Sequence, residues 1–570
     1  MQSEHALSRS VCNVPHSDSK TSSRPLPKTH VSSPLLVDPE GLRNVTDLLA
    51  DRVRKAPDHV CFEVREPGAS PTGPWQPIST KEFANTVEGL AKGMMAAGFA
   101  PGDTAVIMAP TQYLWAVVDH AILFAGGIVV PVYDTATLPQ LEMTLQDARP
   151  TFAFVDTHEH GQQLLESGRP KGALITHRNM AGLTVNTAAE YDYPFKDSGN
   201  TVLFLPLTHV LGRAVQLVCI ASGMRVAHLS STKDMVPALA TVQPTFLMVV
   251  PRVLEKIIEA AASSTREKRL GWAWRMAHRT AVAWGRLAER GDGAMTSRPS
   301  LGLKLGHAIF DRIFYRRIRA LLGGRLEHLL SGAATLRPDI SLFFTGIGIT
   351  VIEGYGLTET TAPLTGGRAG SLVAGTVGVP LPGNEVRIAS DGEVEAKGIG
   401  VFTGYRRAED NAEAFTHDGY FRTGDQGVLD DQGRLTLTGR LKDTIITSTG
   451  RTVAPNSWEE AVEAHPLVAY ATMVGTDRPY LTALIVLDDE YTRLETPRGI
   501  TRCEDPAITA EIAATITEAN RRVSPTEQVQ AQTLVQIRPS RMDDFQTPTL
   551  KLKRRELMRE CAPLADEMYR

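Results

Sequence analysis

The chain reads as an α/β protein built on doubly wound, mostly parallel sheets. Two observations carry that expectation. The first is length: 570 residues are too many for one hydrophobic core, so two or three domains are expected. The second is rhythm: short apolar runs suited to buried strands alternate with stretches of helical period, the pattern of a parallel sheet crossed by helices.

Residues 1 to about 38 are rich in Ser, Pro, His and Lys, have no apolar period, and are expected to form a disordered tail. Beyond Asn44, a suitable helix N-cap, Val45, Leu48, Leu49 and Val53 fall at helical spacing. A second helix runs through Phe83, Val87, Leu90 and Met94 and is closed by Gly98. Asp103 to Met108 reads as a strand, Trp115 to Gly126 as a helix, and Ile128 to Val132 and Thr151 to Val155 as further strands. Between Val155 and Gly168 there is little room for the helix and strand that this rhythm leads one to expect. It resumes with strands at Thr201 to Leu205 and Phe246 to Val250, the former running into Pro206-Leu207-Thr208-His209. His209 thus stands at the carboxyl end of a strand, where parallel sheets meet ligands, although a satisfied structural histidine fits the position equally.

Composition narrows the function. A formal net charge of −4, with 42% hydrophobic and 22% charged residues, gives no reason to expect nucleic acid as a partner. Five widely spaced cysteines form no metal-ligand pattern and fit a reducing cytoplasm. No apolar run reaches the ~18 residues of a membrane span, and the N-terminus lacks a hydrophobic signal core. Residues 266 to 319 interleave Trp272, Trp274 and Trp284 with arginines. Helices packed on the domain with solvated arginines explain this, as does weak peripheral contact with the inner face of a membrane.

Gly168 to Asn179, GRPKGALITHRN, has the grammar of a phosphate loop. Glycines let backbone N–H groups approach an anion, Lys171 adds a point charge and Thr176 a hydroxyl, with His177 beside it. Alone, a surface turn with a chance lysine explains it as well. Further on, EGYGLTETT offers the Thr358 hydroxyl for a phosphate and the Glu359 carboxylate for Mg2+, with Gly354 and Gly356 leaving room around Tyr355 for a flat base. YFRTGD then places Asp425 after Gly424, where a carboxylate can accept from both ribose hydroxyls, and TPTLKLKR carries Lys551.

This ordered set, with FLPLTHVLGRAVQ before it, closely resembles the adenylate-forming superfamily, and most of all the bacterial long-chain fatty-acid CoA ligases, over roughly residues 42 to 560. The resemblance implies a large N-terminal domain and a small, hinged α+β C-terminal domain. The corresponding division is a tail at 1–38, an adenylation domain at 39–440 with an apparent deletion near 160–168, and a mobile domain at 441–570. By similarity Tyr355, Gly354 and Gly356 hold adenine, Thr358 contacts phosphate, Glu359 holds Mg2+, Asp425 holds the ribose and Arg440 lies near it. Lys171, Thr176 and His177 fall at the phosphate end, and His209 at the mouth of the acyl pocket. Lys442 resembles the hinge residue, Lys551 the lysine at the acid and the α-phosphate, and Gly450 a position facing the pantetheine of CoA. The implied activity uses ATP, Mg2+ and CoA: a carboxylic acid becomes an acyl-adenylate, then a thioester.

The sequence departs from the family in one place. The Ser/Thr/Gly run that normally precedes GxPKG is replaced by Gln162-Gln163-Leu164-Leu165-Glu166. Loss of those donors weakens a triphosphate cradle and leaves room for an impaired descendant with a binding or scaffold role. A third reading, ATP-dependent nitrite activation on an amine, as in some relatives of secondary metabolism, also stays open.

Overall fold

The computed structural model describes residues 27–569 except 43, 66–68, 137, 166–171, 268, 290–298, 489–498 and 547–551. Three sheets make the larger part of the molecule. The first is three-stranded and parallel, with Thr104–Met108 between Ile128–Val132 and Phe152–Val155. Its central strand, TAVIM, is buried at all five positions, which is why it reads as an unbroken apolar run.

The second sheet has nine strands. Its parallel body passes from Thr350–Leu357 through His328–Ser331, Phe246–Val249, Asn200–Leu203 and Arg225–His228 to Val60–Val64. Antiparallel strands close both edges. The helix Thr80–Ala96 packs beside this sheet, its start fixed by a capping box in which Ser79 accepts from Glu82 N–H and Glu82 accepts from Ser79 N–H. Phe62, Phe83, Trp115, Phe246 and Phe343 fill the shared core.

A five-stranded antiparallel sheet follows, from His30–Ser32 through Asn384–Ile388, Glu393–Gly398 and Phe421–Leu429 to Leu435–Arg440. Its first strand corrects the expectation of a disordered tail to residue 38. His30–Ser32 pairs in register with Glu385–Arg387, and Asn186 holds Leu36 and Val37 through their backbone N–H groups. Residues 1–26 lie outside the described residues. A second correction concerns the crowded stretch after Val155. A helix, His158–Leu165, does fit there. No strand follows it among the described residues before the helix His177–Glu190.

The C-terminal part has its own core, in which Trp458, Val462, Ile485 and Ile512 are buried together. Its four-stranded sheet runs Val468–Val474, Leu481–Leu487, Val529–Ile537, Ile500–Arg502. The connection from the preceding sheet is a single turn of helix, Leu441–Asp443, on which Lys442 is exposed. Across the junction, Arg252 on the helix Pro251–Glu267 reaches Asp488 at 2.7 Å while also pairing with Glu255 and Glu259.

Candidate active site

The site is built where the parallel sheet meets the antiparallel one. The strand Thr350–Leu357 carries the glycine-tyrosine motif, turns through Thr358–Thr360, and returns as Ala362–Gly366. Gly356 serves this return. A Cβ there would lie 1.6 Å from the Ala362 carbonyl oxygen, so only glycine lets the strands approach. Gly354 has the same neighbour strand, with Thr365 O at 3.2 Å from its ideal Cβ. The room attributed to these glycines for a base is therefore first used by the protein's own backbone. Thr361 and Ala362, two and three positions after Glu359, both have positive φ (58° and 85°), an outlying conformation of the kind concentrated at functional turns.

Asp425 comes to this motif from the strand Phe421–Leu429, register-paired with Arg440 on its neighbour. The Tyr355 hydroxyl donates to Asp425 Oδ2 at 2.7 Å, and Arg440 Nε lies 2.8 Å from Oδ1. Burial and the adjoining Asp425 hold the Tyr355 hydroxyl well above its ordinary pKa, so it stays a donor. Asp425 is 4% exposed, and with one donor fixed on each oxygen it keeps lone pairs for a vicinal diol.

Glu359 lines the same cavity as Tyr355 and Arg440. Its Oε1 accepts from the Tyr405 hydroxyl at 2.7 Å. Oε2 has no hydrogen-bond or ion-pair partner among the described residues, and a half-buried glutamate lining a cavity with one carboxylate oxygen uncommitted suits a hard cation such as Mg2+. Thr358, one residue earlier, is exposed to the cavity. Tyr405 was not legible in the sequence: it lies 46 positions from Glu359 and belongs to no local motif.

His209 stands at the N-cap of the helix Val210–Ser222. Its Nδ1 accepts the Leu211 N–H at 3.1 Å. Burial lowers its pKa, so the ring is neutral and carries its proton on Nε2, as a donor. His209 also lines the cavity. Thr176 is differently engaged: its hydroxyl donates to Asn179 Oδ1 at 2.7 Å and accepts from Asn179 N–H, capping the helix His177–Glu190. His177 turns to the other side, where its Nδ1 accepts the Val45 N–H at 3.3 Å. Neither Thr176 nor His177 lines the cavity.

The cavity measures about 250 Å3. One end is the polar group just described. The other is apolar and follows the helix His177–Glu190, past Met180, Leu183, Thr184 and Thr187 to Tyr191 and Phe195, opposite Val215, Val218, Phe246 and Met248. From Met180 to Tyr191 the wall extends roughly 16 Å at the rise of an α-helix.

Gly450 occupies a hairpin turn between Ile445–Ile446 and Thr452–Val453 with φ 77°. Lys171 and Lys551 lie outside the described residues. The basic stretch divides by face: Trp274 is 5% exposed and meets Phe314 edge-on, Trp284 stacks on His307, and Trp272 alone of the three faces outward at 59%. The four described cysteines are free and buried.

Known proteins align with the chain along nearly its whole length. The profile of the AMP-binding enzyme family matches residues 49–167 and 167–406, and that of the AMP-binding enzyme C-terminal domain matches 442–570. The two segments of the first match meet at residue 167, within GRPKG's approach. Long-chain-fatty-acid–CoA ligase FadD15 of Mycobacterium tuberculosis is 32% identical over 92% of this chain and 97% of its own. Long-chain-fatty-acid–CoA ligase 1 of Homo sapiens is 24% identical over 88% of this chain and 83% of its own. Among solved structures, ATP-bound MatB from Rhodopseudomonas palustris superposes with a TM-score of 0.66 at 21% identity, covering 92% of this chain and all of that one. The o-succinylbenzoate CoA synthetase MenE from Bacillus subtilis, in complex with its acyl-adenylate OSB-AMP, gives 0.65 at 19% identity over 90% of this chain and 97% of that one.

Proposed function

The chain belongs to the AMP-binding enzyme family, and from that premise we propose that it is an AMP-forming acid–thiol ligase acting on fatty acids. It activates the acid with ATP and passes the acyl group to CoA. The observation that carries the reading is one continuous cavity: Tyr355 and Arg440, both bonded to Asp425, line it together with Glu359 and His209, and it runs into an apolar slot along the helix His177–Glu190. A ligand that fills both ends has a nucleotide at one and an acyl chain at the other. Nitrite would leave the apolar length unused, which favours a fatty acid over the amine-modifying alternative.

The chemistry has two halves. An oxygen of the acid attacks the α-phosphorus and pyrophosphate leaves with the bond electrons. The thiol sulfur then attacks the acyl carbon, and AMP leaves. Asp425 holds the ribose, Tyr355 and Arg440 fix the Asp425 carboxylate, and Thr358 offers its hydroxyl to a phosphate. His209, which lines the cavity with Nε2 as its donor, is the group proposed to orient the acid's carboxylate. Glu359 would hold Mg2+, which supplies positive charge to offset that of the phosphates. Lys551 is the group proposed to contact the acid and the α-phosphate in the first half, with Lys442 as the hinge that withdraws it and Gly450 on the surface that then faces the thiol. Lys171 is proposed to reach the outer phosphates, with Thr176 and His177 ordering the helix that follows.

ATP–pyrophosphate exchange tested with acids of graded chain length, and with nitrite, decides between the readings. Exchange that requires both Mg-ATP and a fatty acid is the expected result. Exchange with nitrite alone, or ATP binding without exchange for any acid, would replace it.

Peripheral membrane contact through residues 266–319 is the finer part of the proposal. No helix among the described residues is long and apolar enough to cross a membrane. Leu301, Leu305, Ile309 and Ile313 recur every four residues and are 41–85% exposed. The stretch 301–321 also carries Lys304 and four arginines against one acid, Asp311. An apolar line within a basic rim suits an anionic bilayer surface. Flotation of the full chain with vesicles containing phosphatidylglycerol, lost in Leu305→Glu/Ile309→Glu and absent with phosphatidylcholine alone, is the expected outcome; equal flotation of wild type and variant would overturn it.

A further inference from the structure

Glu359 is held by a residue far away in sequence, and how that residue is itself fixed suggests a function for it. Tyr405 donates its hydroxyl to Glu359 Oε1 at 2.7 Å. Its backbone is clamped from both sides by Asn411, whose Oδ1 accepts the Tyr405 N–H at 2.7 Å and whose Nδ2 donates to the Tyr405 carbonyl at 2.8 Å. Its ring meets Phe402 edge-on at 4.9 Å between centroids, and the Phe402 N–H donates to the Glu359 carbonyl at 2.8 Å. The neighbouring backbone is stitched to the chain leading out of the lysine-glycine motif. Arg406 N–H donates to Gly172 O, Leu174 N–H to Gly404 O, and Ala173 bridges Tyr405.

We propose that Tyr405 is a positioning residue for a divalent metal ion at Glu359. Its hydroxyl engages Oε1, locks the carboxylate in one rotation, and leaves Oε2 as the metal ligand. Hydrogen bonds to a ligating carboxylate set its direction and tune its affinity by about 10- to 100-fold in comparable sites. A free glutamate would spend rotamer entropy on every metal encounter; one already clamped does not. The pairing with residues 172–174 also ties the position of this carboxylate to the segment carrying the phosphate-loop motif. The inference rests on the reading of Glu359 as the Mg2+ residue of an ATP site.

The test is equilibrium binding of ATP to the full chain, by calorimetry, with Mg2+ and with EDTA, in the absence of acid. In the wild type Mg2+ strengthens ATP binding. Tyr405→Phe removes only the hydroxyl and is expected to weaken binding of Mg-ATP about tenfold while leaving binding of metal-free ATP unchanged. Added to Glu359→Gln, the same change is expected to cost nothing further, because the two act through one interaction. If Tyr405→Phe binds Mg-ATP like the wild type, or weakens metal-free ATP equally, or adds its full loss to that of Glu359→Gln, the proposal is wrong while the ATP site stands. A wild type in which Mg2+ makes no difference to ATP binding would overturn the underlying reading of Glu359 as well.

Discussion

The Tyr355 hydroxyl donates to Asp425 Oδ2 across 2.7 Å, joining strands of two different sheets 70 residues apart in sequence. The bond is buried, so its loss is not repaid by water. Tyr355→Phe leaves one Asp425 oxygen without a donor, and a buried acceptor so stranded costs about 1–3 kcal/mol. AMP affinity should fall roughly tenfold, while the KM for the acid stays within about twofold. Arg440→Ala should cost less, because that side chain is 43% exposed and water can take its place. Equal AMP affinity in wild type and Tyr355→Phe would remove Tyr355 from the nucleotide site.

Lys551 is assigned to the first half of the reaction only, and the halves can be run separately. Lys551→Ala should lower pyrophosphate exchange by about 10²- to 10³-fold, the usual loss when one charge-stabilising donor is removed. Thioester formation from supplied acyl-adenylate should survive at close to the wild-type rate. A variant that loses both halves alike would show that the lysine serves the fold or the hinge instead.

Thr187 sits one turn beyond Leu183 and Thr184 along the apolar wall, its hydroxyl buried and without a hydrogen-bond partner among the described residues. Thr187→Trp places a large ring across the slot at about mid-length. Long-chain acids should lose most of their kcat/KM, while short acids and AMP binding are spared. Uniform loss across chain lengths would mean that the acyl chain does not follow this helix.

Local chemistry was legible in the sequence and long-range placement was not. The apolar runs at Thr104–Met108 and Phe246–Val249 announce buried strands because both faces of each are covered. The Gly354–Glu359 motif can be read because its residues are contiguous. The strand His30–Ser32 escaped because three residues carry almost no periodicity, and only pairing with Glu385–Arg387 defines it. Tyr405 escaped for the same reason, since its partner is set by topology. Thr176 illustrates the converse: its hydroxyl suits a phosphate by type, yet a threonine followed three positions later by Asn179 is also a helix cap, and the cap is what formed.

The last prediction concerns the C-terminal core. Glu463, on the helix Asn456–Glu463, is half-buried and its Oε1 accepts the Ala471 N–H at 2.9 Å. Burial, opposed by that hydrogen bond and reinforced by Glu459, Glu255 and Glu460, pushes its pKa up to about 8. The cations bound to the surrounding carboxylates are already engaged: Arg252 is shared among Glu255, Glu259 and Asp488, and Arg554 pairs with Glu459. The native state thus keeps a proton that the unfolded chain releases near the ordinary value of 4.5. The associated stability is complete below that value and declines as pH rises toward about 8. Its steepest slope is about 1.4 kcal/mol per pH unit, the limit for one proton. Urea unfolding followed by tryptophan fluorescence, with Trp458 as the reporter inside this core, should show midpoints falling from pH 5 to pH 8. Glu463→Gln keeps the oxygen acceptor and removes this titration, so its midpoint should fall less than that of the wild type over the same interval. A wild type already flat across that interval, or a variant with the same slope, would locate the proton elsewhere.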